Sequence, residues 1–189
     1  DYDVNRASEL YVAWNWKGNG SGVSNTDGTI TSTVSANQDA GISIITYTGT
    51  GANATVGHGL GVAPKFITVK GRNAAGSYNW MVYAKTTATD GNGHMYLNLT
   101  NVYEPAGTSV WNNTDATSSV FSITSNINVN ANTGTYIAYA FAEVDGFSSI
   151  GSYTGNGSTD GPFIYTGFRP AFVIVKRSDS ATGGEWKMV

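Results

Sequence analysis

The chain has 189 residues, a net charge of −3, and no cysteine. Ten Lys and Arg against thirteen Asp and Glu leave no basic surface to neutralise phosphates, which argues against nucleic-acid binding. The missing thiols exclude a disulfide framework and a thiolate metal site, and no apolar run approaches the ~18 residues of a membrane-spanning helix.

Charged residues reach only 12%, yet five Trp and eleven Tyr are present, so this is not a disordered polar tract. Thr, Val, Ile and Tyr recur in short runs broken by Gly and Asn, which predicts strands joined by tight turns. Residues 10–16 (LYVAWNW) read as a strand, and the Gly/Asn/Ser-rich residues 18–28 as a flexible connector. Residues 29–34 alternate small polar with apolar side chains, as a half-exposed strand does. Strands are predicted over 42–47, 65–70, 80–83 and 95–99, then over 120–124 and 136–141. The class is all-β, and a two-sheet antiparallel sandwich of jelly-roll type is the natural way to bury such strands.

The chain also repeats itself. YTGTG at 47–51 returns as YTGNG at 153–157, APKFITVK at 63–70 returns as RPAFVIVK at 169–176, and Trp80 returns as Trp186, all at an offset of 106. Val4-Asn5 through Tyr11 and Trp14 echo Val129-Asn130 through Tyr136 and Tyr139, at an offset of 125. This register divides the chain into a closing strand of one unit (1–17), an insertion (18–40), a complete unit (41–143) and the opening of another (144–189). The expectation is a tandem array of one module, cut from a longer protein. Complementation of head and tail segments across chains is the alternative.

Chemistry-bearing residues are few. His58 and His94 are the two histidines, and both sit in Gly-rich turns with no Gly-x-Ser-x-Gly elbow nearby. The acids Asp160, Asp179 and Glu185 align with Ala54, Asn73 and Asn79, so no glycosidase-type carboxylate pair belongs to the module itself. The Asx-rich turns at 25–28 and 90–93 lack the trailing bidentate acid of a calcium loop. No catalytic residue, metal or cofactor is expected. Trp80, Trp186, Phe66, Phe172, Tyr11 and Tyr136 recur at matched positions and are read as core or sheet-face residues. Lys70 and Lys176 end matched strands, each positioned to lie over an aromatic face. Tyr103 and Trp111 stand apart from the matched positions, in a turn-rich segment beside Asn. They are the candidate binding residues, flat faces for a sugar ring; the other reading makes them anchors that hold the loop to the body.

The motifs YVAWNWK at 11–17, GHGLGVAPKFITVK at 57–70, YTGNG at 153–157 and YTGFRPAFVIVKR at 165–177 resemble a repeat module of structural proteins in marine tailed bacteriophages. That module often sits beside concanavalin-like lectin modules in tail-fibre or virion proteins. The resemblance spans nearly the whole chain and brings no catalytic residues. It implies a virion location and a non-enzymatic role, with other virion subunits as partners in a homo-oligomer, trimers being usual for fibres. It points to an adhesin without naming a receptor; a host-surface glycan is one candidate ligand, and no membrane insertion is expected. A head-decoration role and a secreted microbial carbohydrate-binding or matrix protein stay open beside it.

Overall fold

The computed structural model describes residues 6–11, 13, 15–73, 78–105 and 109–189. Among the described residues the chain is all-β apart from one short helix, and the ladders between its strands are antiparallel. In chain order the first strands are β1 (Val23–Asn25), β2 (Ser32–Asn37), β3 (Ile42–Thr48) and β4 (Ala54–Gly57). There follow β5 (Phe66–Gly71), β6 (Met81–Ala84), β7 (Met95–Tyr96) and β8 (Val120–Ile123). Helix α1 (Ile127–Asn130) leads into β9 (Thr135–Phe141), and β10 (Ile174–Val175) and β11 (Lys187–Met188) complete the set. Seven strands form one sheet in the order β1-β2-β3-β9-β5-β6-β7, while β4 pairs with β8 and β10 with β11.

Strand alternation explains the two faces of the large sheet. On one face Val34, Ile45, Ile67, Val69, Met81, Tyr83, Tyr136, Ala138 and Ala140 are buried. They share a core with Val56 of β4, Phe121 and Ile123 of β8, and Val110, Trp111 and Val129 from the connections. The alanines of β9 are the small partners here: Ala138 lies between Ile45 and Val69 in the ladder, and Ala140 lies beside Ile67. On the other face Phe66, Tyr139 and Phe141 are half-buried. Trp16 meets Phe141 edge-on at 6.1 Å, and Trp186 meets Phe66 edge-on at 6.1 Å.

A polar clasp closes one end of the core. The Tyr47 hydroxyl donates to the Val129 carbonyl at 2.7 Å and its ring stacks on Tyr136 at 5.2 Å. The Tyr136 hydroxyl donates to the Ile127 carbonyl at 2.6 Å and accepts from the Ala131 amide at 2.7 Å. Asn130, fully buried, accepts from the Thr50 amide and donates to the Ala52 and Thr124 carbonyls. The YTGTG motif supplies the turn that meets it: Gly51 has φ +72° and its amide donates to the Asn130 carbonyl at 3.0 Å. Gly157, the counterpart 106 residues on, keeps a positive φ of +70° but has open space around it.

The β5–β6 and β10–β11 hairpins have one register. Thr68 faces Val82 and Val69 faces Met81, while Ile174 faces Met188 and Val175 faces Lys187, each 106 residues further on. In both, the lysine that follows the first strand's core positions (Lys70, Lys176) donates to the carbonyl eight residues later, of Tyr78 and Gly184. Lys70 also lies over the Trp80 ring at 5.9 Å, whereas Lys176 donates to the Thr100 carbonyl at 3.1 Å.

Several sequence expectations change. No strand forms among the described residues of 6–17, and Tyr11 is 49% exposed where Tyr136 is buried. The reason is pairing: β9 is flanked by β3 and β5, and the described residues of the head have no such ladder. The segment expected to be a flexible connector contains β1, and it is held tightly. A β-carbon on Gly28 would lie 2.5 Å from the Thr55 carbonyl oxygen, so only glycine permits this approach to β4. The strand expected over 29–34 lies three residues later, and the one over 95–99 ends at Tyr96.

Trp80 is half-buried on the outer face, stacked on Tyr139 at 6.4 Å, and not in the main core. Trp80→Ala should therefore destabilise by less than about 2 kcal/mol in a urea melt, since only part of the ring leaves water. Asn130→Ala removes three hydrogen bonds of a fully buried side chain, with the Thr50 amide and the Ala52 and Thr124 carbonyls, and should cost about 3 kcal/mol or more. The reverse ranking in the same melts would contradict this assignment of core and face.

Candidate functional site

A group of titratable side chains lies together in the loops around β7. The Asp90 carboxylate accepts from the Asn92 amide at 2.9 Å and from the Tyr103 hydroxyl, as Asx turns commonly arrange. That hydroxyl in turn accepts from the Gly93 amide at 2.9 Å. Lys85 Nζ donates to the Asp90 carbonyl at 2.7 Å and pairs with Asp115 at 2.6 Å. His94 exchanges backbone hydrogen bonds with Glu104, and its Nε2 lies 3.1 Å from the Tyr96 hydroxyl and 3.4 Å from the Glu104 carboxylate. Tyr103 holds the Asp90 carboxyl below its usual range, and burial with that same bond pushes the Tyr103 phenol up to about 12. Burial lowers His94, with Glu104 opposing.

Tyr103, one of the two candidate sugar-facing aromatics, is thus half-buried and committed at its hydroxyl. Its amide also donates to the Ser178 carbonyl at 2.8 Å, which ties the loop to the tail segment. Trp111, the other candidate, is a correction: it is 1% exposed and packs edge-on against Tyr83 at 5.8 Å and Phe121 at 6.5 Å. A ring enclosed on both sides offers no face to a pyranose. Its indole N–H has no acceptor among the described residues, the cost of burying the largest apolar side chain available. The two residues do not form one site.

The other histidine is structural in geometry. His58 Nδ1 accepts from the Leu60 amide at 3.2 Å, which fixes the proton on Nε2, where it donates to the Thr117 carbonyl at 3.2 Å. Both nitrogens are occupied by backbone, and burial lowers the pKa against the pull of Thr117 and Asp27. Among the described residues no group of three His, Cys, Asp or Glu converges to hold a metal ion.

The sequence reading missed a surface groove of about 480 Å³ beside β1 and the following hairpin. Asn19, Ser21, Ser24, Asn25, Gln38 and Asp39 line it with short hydrogen-bonding groups. A connector-like composition hid it, because the ordering of that segment comes from contacts made by residues far along the chain. Gln38 Nε2 donates to the Gly59 carbonyl at 2.9 Å, and the Thr29 amide donates to Thr55 Oγ1 at 2.9 Å.

Two outcomes test this description. Both histidines have folded-state pKa values below the usual 6.5, so the unfolded chain takes up protons first as pH falls. Their stabilising contribution is complete above 6.5 and is lost as pH drops through the folded values. Urea midpoints should accordingly fall between about pH 8 and about pH 5.5, and His58→Gln should shrink that fall. Separately, Tyr103→Phe removes the largest cause of the Asp90 shift, so its carboxyl carbon should titrate closer to 3.8 by NMR. An unmoved titration would mean that Tyr103 does not hold the turn.

No curated protein and no solved structure matches the chain. A family model described as Domain of unknown function (DUF7483) matches residues 1–189, and the chain belongs to that family.

Proposed function

We propose that this chain is a non-enzymatic structural module of a tailed-phage virion, a tail-fibre or receptor-binding segment built of tandem two-sheet sandwich repeats. One observation carries the non-enzymatic, modular part. What recurs at an offset of 106 is packing hardware, namely the hairpin register, the lysine reaching a carbonyl eight residues on, and the tryptophan that follows. The titratable cluster at Asp90, His94, Tyr103 and Glu104 lies outside the matched positions, and its bonds go to backbone or to one another. The β4–β8 pair, sharing a core with the seven-stranded sheet, supports the sandwich. The virion location rests on the motif resemblance, with other virion subunits as partners.

Carbohydrate binding is the second reading, and the β1 groove favours it: short amides and hydroxyls line a shallow surface, which suits sugar hydroxyls. On a glycan array, Ser24→Trp would fill the groove and abolish any specific signal from the intact chain.

Immunogold labelling of purified particles tests the location. Label at the tail tip or along fibres supports the receptor-binding reading. Label over the head replaces it with a decoration role, and absence from particles overturns the virion assignment.

A further inference from the structure

We infer that Asn156 is a site of spontaneous modification, losing its side-chain amide through a succinimide, and that the fold protects Asn92 from the same reaction. Neither the virion assignment nor the carbohydrate reading bears on it. Asn precedes Gly at 19–20, 92–93 and 156–157. Glycine carries no β-carbon to shield its amide nitrogen, so that nitrogen can reach the Cγ of the asparagine before it. Asn is for such reasons among the labile side chains.

The reaction needs only solvent. The Gly157 amide gives its proton to hydroxide, and its nitrogen attacks Asn156 Cγ. The new N–Cγ bond forms, the Cγ–Nδ2 bond breaks, and Nδ2 leaves as ammonia with a proton taken from water. Water then opens the five-membered imide at either carbonyl, to aspartate or isoaspartate, with no change of oxidation state.

The surroundings of Asn156 favour each step. Asn156, Gly157 and Ser158 are exposed. Asn156 Oδ1 accepts from the Ser158 amide at 2.9 Å, an Asx turn that bends the side chain forward over the intervening Gly157. That same N–H faces the oxygen on which negative charge develops when Cγ is attacked. No described residue accepts from the Gly157 amide, and a β-carbon there would meet nothing within 4 Å.

Asn92 has the opposite surroundings. Gly93 is buried, and its amide donates to the Tyr103 hydroxyl at 2.9 Å and to the Asp90 carboxylate at 3.3 Å. Taking that proton away breaks both bonds and leaves a negative nitrogen beside a carboxylate. Asn92 Oδ1 is buried with no donor among the described residues, so nothing stabilises the charge that attack would place on it. Asn19 lies between these cases. It is exposed, but Ser35 Oγ accepts from its amide at 2.9 Å and donates to the Gly20 carbonyl at 2.9 Å, which clamps the peptide on both sides.

Thr50 holds the matching place in YTGTG, where it offers no side-chain amide and its own amide is bound by Asn130. The modification thus belongs to one of two matched turns. It adds a negative charge to a chain already at −3, and isoaspartate reroutes the backbone through the side chain, lengthening the turn after Tyr153.

The intact chain, kept folded in mildly alkaline buffer and digested at intervals, reports all three sites by peptide mass spectrometry. The peptide holding Asn156 should exchange amide for acid first and give two products that separate on a column. Asn92 should lag it by about tenfold or more, the ratio that about 1.4 kcal/mol of hydrogen bonding kept in the unreacted state produces. In urea-unfolded chain the three sites should react at similar rates. Equal rates at 92 and 156 in the folded chain, or Asn92 reacting first, overturn the inference. So does a folded chain unmodified at 156 while the unfolded chain reacts. The same ranking in urea overturns protection by the fold.

Discussion

The structure depends on a strand that arrives late in the sequence and sits in the middle of the sheet. β9 pairs along its length with β3 on one side and with β5 on the other. Its alternation sets the thickness of the whole body. Alanines point into the core, where the branched side chains of β3 and β5 and the large rings of Tyr83, Trp111 and Phe121 need the space. Aromatics point outward and gather Trp16 and Phe66 around Phe141, with Phe172 edge-on to Trp16. Exchanging these two sets by a one-residue slip would overfill one face and empty the other, so the register is strongly specified.

Around that strand, polar groups do the work that a longer helix or a disulfide does elsewhere. Asn130 and the hydroxyls of Tyr47 and Tyr136 satisfy the turns at both ends of α1, a helix too short to hold itself. The same economy appears around β7, where Asp90 and Tyr103 organise a turn by hydrogen bonds alone. These side chains would be natural suspects for chemistry in a list of titratable residues. Their bonds are to backbone or to each other, which makes them supports for loops.

Legibility in the sequence followed the range of the forces involved. Strands with strong period-2 patterns, such as β3, β5 and β9, were located within a residue or two, because local alternation already states which face is buried. β1 was not, since Val23-Ser24-Asn25 has no pattern of its own and is ordered by β2. The head failed in the opposite sense: its pattern is that of a strand, but a strand needs neighbours. Trp111 shows the same limit for the site, because a loop aromatic looks alike whether it faces water or folds down between Tyr83 and Phe121. The groove beside β1 carried no sequence signal, because it is made where the segment around β1 meets the β2–β3 hairpin and Gly59.

The central place of β9 also has a consequence for synthesis. As the chain leaves the ribosome, β3 and β5 emerge long before residues 135–141 exist, and until then each presents an open edge toward an empty slot. Those edges would pair with any extended segment nearby, including another nascent chain on the same message. A module whose keystone is translated last is thus exposed to strand capture during its own production. Sparse charge does little to repel such encounters, so the rate at which the last third is translated becomes part of how cleanly the protein folds.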